Sequence, residues 1–215
     1  MSKAERSGKR KGREQSSKLR IPELGYYFIV TDTKETEKNY MNGLRDSIPK
    51  ELQGKLVIKV IKTETKNLVN EALNMASINP QYGEPWIVFD RDQVENFDDI
   101  ISDAEEKGIH VGWANPCIEA WFHAYLGSMP TYRDSVDCCN KFAQAYAKKT
   151  KQHYEKNDEE IYSKLIKFGD EDIAIKIAEQ KWKSHNSICN SKPSTMIPCT
   201  TIHVLVREIK SKIKQ

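Results

Sequence analysis

No stretch of this chain approaches the ~20 consecutive apolar residues that a bilayer-spanning helix requires, and its opening, MSKAERSGKRKGREQSSKLR, holds no apolar segment of the kind that directs secretion. Cysteine is scarce. Its five occurrences (Cys117, Cys138, Cys139, Cys189 and Cys199) form no Cys-x-x-Cys pair, and an odd number cannot all be bridged within one chain. They read as reduced thiols in a soluble, cytoplasmic protein. Neither the cysteines nor the five histidines fall at finger or ribbon spacings, so no structural zinc site is expected. Also missing are a nucleophile elbow, a phosphate-cradling P-loop and a glycine-rich dinucleotide turn, which disfavours nucleophilic triads.

What remains is 38% apolar and 30% charged over 215 residues, enough for one domain, or one domain with a helical appendage. The net charge of +3 is uneven: residues 1–20 alone carry +6, and the rest is mildly acidic. Residues 1–22 read as a disordered basic arm whose Arg10, Lys11 and Arg13 suit a phosphate backbone. The same composition also serves as a solubilising tail.

Beyond Pro22 the apolar run Tyr26–Val30 reads as a buried strand, followed by a helical pattern from about Thr36 through Tyr40, Met41 and Leu44. Leu56–Ile61 makes a second strand, and Leu68, Val69, Ala72, Leu73 and Ala76 a second helix. Trp86–Phe89 is the third strand, with a helix after it running to Gly108. Ile109–Ala114 is the fourth, with Asn115 and Pro116 expected as N-cap and first residue of another helix. The alternation predicts an α/β protein with a Rossmann-like, mostly parallel four-stranded sheet flanked by helices, residues 23–130. From Tyr132 onward only helices are expected, so 131–215 is predicted to be a helical extension packed on that domain.

Loops leaving the C-terminal ends of parallel strands share one edge, where ligands bind. Asp32 leaves the first strand there, and Asp90 and Asp92 leave the third. Carboxylates so gathered can hold Mg²⁺ or Mn²⁺, hard cations that take oxygen ligands and retain several waters. An aspartate after a strand is also an ordinary turn former or helix cap, as each of these precedes a helix. Glu35 and Glu37 open the first helix, and Glu37 is the one chosen as a further catalytic acid. Glu119, among Ile118, Ala120, Trp121 and Phe122, is a candidate catalytic residue that burial would oblige to find a partner. Lys34 and Lys38 are placed to neutralise nucleic-acid phosphate.

These residues resemble the RloB family, a bacterial group with a Toprim-like domain. Three segments carry the resemblance: Phe28–Tyr40 (FIVTDTKETEKNY); Val88-Phe89-Asp90-Arg91-Asp92 together with Asn115-Pro116-Cys117-Ile118-Glu119-Ala120-Trp121; and Pro198-Cys199-Thr200 with Ile202, Leu205 and Val206. They span residues 28–206. The family's Glu-Gly after the first strand is Asp32-Thr33 here. The resemblance implies a Toprim/Rossmann-like fold that binds Mg²⁺ (or Mn²⁺) through Asp32, Asp90 and Asp92. It further implies a nuclease effector in bacterial antiphage defence, acting on tRNA or DNA and restrained by an ATPase of the ABC or AAA type encoded nearby. A homodimer is left open. Two alternatives are kept: a haloacid-dehalogenase-like phosphotransferase, from the likeness of Asp90-Arg91-Asp92-Gln93-Val94 to that family's motif, and an inert sensor or docking module.

Overall fold

In the computed structural model the described residues are 22–32, 35–78, 83–92, 94–189 and 191–214. The basic arm, with Arg10, Lys11 and Arg13, lies outside them except for Pro22, and so does Lys34. The first apolar run forms strand β1 (Gly25–Thr31), whose residues 27–30 are fully buried. A strand covered on both faces needs apolar side chains at every position, which explains the continuous run in place of alternation. Helix α1 (Glu35–Asp46) leads to β2 (Leu56–Lys62), α2 (Leu68–Ile78) to β3 (Gly83–Asp90), and α3 (Phe97–Glu106) to β4 (His110–Asn115).

These four strands are parallel, as expected, but the sheet has five strands, in the order β2-β1-β3-β4-β5. The addition, β5 (Cys199–Thr200), runs antiparallel against the end of β4, pairing Thr200 with Ala114 and Cys199 with Asn115. Two residues are too few to show a period. Asn115 also departs from expectation. It is the last residue of β4, not a helix cap, and its side-chain amide donates to the carbonyls of Pro193 and Ser194 at 2.9 and 3.1 Å. The next helix, α4 (Glu119–Tyr125), starts only after Ile118.

The chain ends in α5 (Ser135–Thr150), α6 (Ile161–Phe168), α7 (Glu171–Asn186) and α8 (Ile202–Ile213). Crossing from β1 to β2 runs one way along the sheet, whereas crossings from β2 to β3 and β3 to β4 run the other way. Right-handed connections therefore place α1 on one face and α2 and α3 on the opposite one. The packing follows this division. Tyr27, Ile29, Trp86 and Val88 join α1 and α4–α8 in one cluster, while Val30, Ile87 and Phe89 join α2 and α3 in another. Among the described residues, no helix is long and apolar enough to cross a membrane.

The first cluster is threaded by a hydroxyl network. The Tyr40 and Tyr125 hydroxyls meet at 2.8 Å, and Tyr125 and Tyr162 both donate to Glu171, which pairs with Lys210 at 3.0 Å. One carboxylate thereby links α4, α6, α7 and α8. Close approach of α1 to α6 depends on Gly43, where a Cβ would lie 2.4 Å from the Tyr162 Cβ. At the start of α8, the His203 Nδ1–H donates to the Thr200 carbonyl at 2.9 Å, and burial lowers the ring's pKa from 6.5 to about 4.

Two outcomes are expected. Gly43→Ala should lower the unfolding free energy by about 1–3 kcal/mol, measured by urea denaturation, because neither helix can shift without disturbing the tyrosine network. As for His203, the unfolded ring takes up its proton below pH 6.5 whereas the folded ring resists until about 4. Its stabilising effect is therefore whole above 6.5 and declines as pH falls through that window, by roughly 3 kcal/mol in all. Urea midpoints for His203→Asn should fall less steeply than the native chain's between those pH values.

Candidate active site

The strand order reverses between β1 and β3: the chain leaves β1 toward β2 on one side and leaves β3 toward β4 on the other. Connections that diverge in this way leave the ground between the two strand ends uncovered. Asp32 and Asp90 stand there. Thr31 is opposite Val88, and the Asp32 amide donates to the Val88 carbonyl at 3.4 Å, so Asp32 lies beside Phe89 with Asp90 next along. Strand spacing then sets their Cα atoms about 6 Å apart. Both side chains are buried, at 7% and 4% exposure.

Alternation along the strands assigns faces. Asp90 follows Trp86 and Val88 onto the α1 face, and Asp32 follows Val30 onto the α2 face, where the Thr65 hydroxyl donates to its Oδ2 at 2.8 Å. Thr65 begins a 3-10 turn, Thr65–Asn67, immediately before α2. Of the two glutamates opening α1, Glu37 is the one in step with Tyr40, Met41 and Leu44, the stripe that meets the sheet, and it is 1% exposed. Its place in the first turn sets it at the same edge, on the Asp90 face. Glu35 faces outward and pairs with Lys38 (3.3 Å) and Lys62, two cations that hold its carboxyl below the usual range.

Asp92 lies in the turn after β3, with a φ of 20° that side-chain-bearing residues rarely adopt. The turn is held to the end of β4: the Arg91 amide donates to the Ala114 carbonyl (2.8 Å) and the Asp92 amide to that of Pro116 (3.0 Å). Ser135, the first residue of α5, donates its hydroxyl to Asp92 Oδ1 at 2.7 Å. Thr65 and Ser135 are contacts that sequence reasoning missed. Ser135 lies 43 residues from its partner, with no motif between them.

Glu119, 1% exposed, opens α4 and accepts from the Tyr154 hydroxyl at 3.0 Å, with the Lys156 ammonium 3.7 Å away. Beside it are two thiols, Cys117 and Cys139, whose sulfurs are 3.9 Å apart. Among the described residues, these are the three side chains of metal-ligating type whose ligand atoms all lie within 4.8 Å of one another. No three of the acids at the sheet edge are so grouped among the described residues. Both thiols are pushed well above their usual range, Cys117 by the adjacent Cys138 thiol and by burial, Cys139 by Cys117 and by burial.

With this geometry in place, the comparisons with known proteins bear on lineage. The family model described as RloB-like protein matches residues 27–209, and the chain belongs to that family. No curated protein and no solved structure matches.

The Glu119 surroundings make an energetic prediction. Tyr154→Phe removes a hydrogen bond to a buried carboxylate and should cost about 1.5–3 kcal/mol in thermal or urea unfolding. Lys156→Met should cost under about 1 kcal/mol, because that lysine side chain is 61% exposed and its charge is screened by water.

Proposed function

We propose that this RloB-like protein is a metal-dependent nuclease that hydrolyses phosphodiester bonds in RNA, tRNA among them, or DNA, as an effector in bacterial antiphage defence. The observation that carries the reading is the burial of carboxylates from separate parts of the chain, Asp32, Glu37 and Asp90, at the one sheet edge where the strand order reverses. Buried acids have to be hydrogen-bonded or paired, and the open strand ends at which these gather are where ligands bind in a parallel sheet.

The donor set fits a hard divalent cation. Every candidate ligand is a carboxylate oxygen, and Mg²⁺ takes only one or two carboxylates from a protein, so the acids need not close on a single point. Asp90 and Asp92 would hold Mg²⁺ or Mn²⁺, and Glu37, on the Asp90 face, would bind one of the waters the cation retains. When bound, the cation supplies Lewis-acid polarisation of the scissile phosphate and a more acidic water. Asp32, which the Thr65 hydroxyl holds at the same strand ends, would be the base that accepts a proton from the attacking water. The Ser135 hydroxyl keeps the Asp92 carboxylate in one orientation. Lys38 and Lys62, engaged with Glu35 at the rim, can exchange that partner for nucleic-acid phosphate.

The test is cleavage by the purified full chain of end-labelled tRNA, single-stranded RNA and plasmid DNA, with Mg²⁺, Mn²⁺ or a chelator. Cleavage should require the metal. Asp90→Asn and Asp92→Asn should each lower the rate by at least ~100-fold while circular dichroism and thermal midpoint stay close to those of the native chain. A rate unchanged in both variants, or no cleavage of any substrate with either metal, would sink the reading.

A further inference from the structure

We infer that Cys117, Cys139 and Glu119 form a second metal site, for a zinc-class divalent cation, which fastens the loop after β4 to helix α5 directly behind Asp92. The site is separate from the catalytic proposal and stands or falls without it.

The spacing is the first support. A tetrahedral zinc ion with Zn–S bonds of about 2.3 Å holds two thiolate sulfurs roughly 3.8 Å apart. The Cys117 and Cys139 sulfurs are already 3.9 Å apart, and the Glu119 oxygen completes a triangle with no edge above 4.8 Å. Two sulfurs and one carboxylate are a borderline-soft set, which selects zinc over magnesium or calcium.

The surroundings are the second. Cys117 and Glu119 are buried, but Cys139 is only partly covered and gives the ion a way in. Lys156 is the cation now nearest Glu119 among the described residues, and it reaches in from a largely exposed position. It can swing outward as the metal enters, leaving the fourth position to water. Binding forms two Zn–S bonds and one Zn–O bond, and the two thiol protons pass to solvent. No oxidant or reductant is involved.

The location gives the site a consequence. Ser135 and Cys139 are one turn apart on α5 and share a helix face. The Ser135 carbonyl accepts from the Cys117 thiol at 3.8 Å, while its hydroxyl holds Asp92 at 2.7 Å. A metal joining Cys117 to Cys139 therefore clamps the helix end that orients Asp92.

The experiment is an anaerobic Co²⁺ titration of the reduced, metal-stripped full chain, followed by absorbance. One equivalent should produce a thiolate-to-cobalt charge-transfer band and tetrahedral d–d bands, all bleached by Zn²⁺. Cys139→Ser, at the most accessible of the three ligands, should weaken binding by on the order of 100-fold, and Cys189→Ser, at the exposed cysteine, should leave it unchanged. As a check needing no variant, Zn²⁺ should protect the partly covered Cys139, but not the exposed Cys189, from maleimide, read by peptide mass spectrometry. The proposal is overturned by the absence of a charge-transfer band, by labelling of Cys139 that Zn²⁺ slows no more than that of Cys189, or by a Cys117–Cys139 disulfide that forms despite saturating Zn²⁺. The last result would assign the pair to thiol oxidation.

Discussion

The parallel pairing of β1 with β3 is the constraint on which the rest depends. Thr31 opposite Val88 sets where Asp32 falls relative to Asp90, and the divergence of the connections on either side keeps that ground clear. A slip of one residue would exchange every side chain between faces, sending Tyr27 and Ile29 into the cluster built around Val30 and Phe89. Both clusters are buried and are built from different residues, so the register is strongly fixed. Asp90 and Asp32 owe their burial to the same packing, because they are the last residue of β3 and the first after β1, strands covered on both sides.

Helix α5 is the second structural link. Its first residue, Ser135, binds Asp92 through its hydroxyl and receives Cys117 through its carbonyl. Its next turn brings Cys139 to within 3.9 Å of Cys117. The turn after β3 is also tied to the end of β4 by the Arg91 and Asp92 amides. The acid edge is thus supported from behind by β4, the Pro116–Glu119 segment and α5. Any movement of α5 relative to β4 would be felt at Asp92 first.

How much of this was legible in the sequence differs from element to element. Strands β1 and β3 announced themselves as unbroken apolar runs because both faces are buried. The burial of Glu37 and the exposure of Glu35 were also within reach, since only Glu37 keeps step with Tyr40, Met41 and Leu44. Strand β5 was not legible, since two residues carry no period and the helix beginning at Ile202 dominates the signal. Asn115 misled for a different reason: Asn before Pro is a good helix start, but tertiary contacts with Pro193 and Ser194 claimed its amide. Cys117 and Cys139 match no ligand spacing, and they met only because α5 folds back along α4. Long-range encounters of this kind belong to the packing and leave no local pattern to read.

The shorter first-strand acid finds an explanation in the same geometry. In the resemblance drawn from the sequence a glutamate stands at the position of Asp32, and an aspartate there reaches one methylene less far past the end of the strand. Asp32 is accordingly engaged on its own side of the sheet, by the Thr65 hydroxyl ahead of α2. The carboxylate that shares the Asp90 face comes from Glu37, one helical turn into α1, where the buried stripe aims it at the sheet end. The sheet end keeps carboxylates on both faces, one held by the connection that enters α2 and the others by α1 and β3, and the pairing of β1 with β3 keeps the two sets in fixed relation.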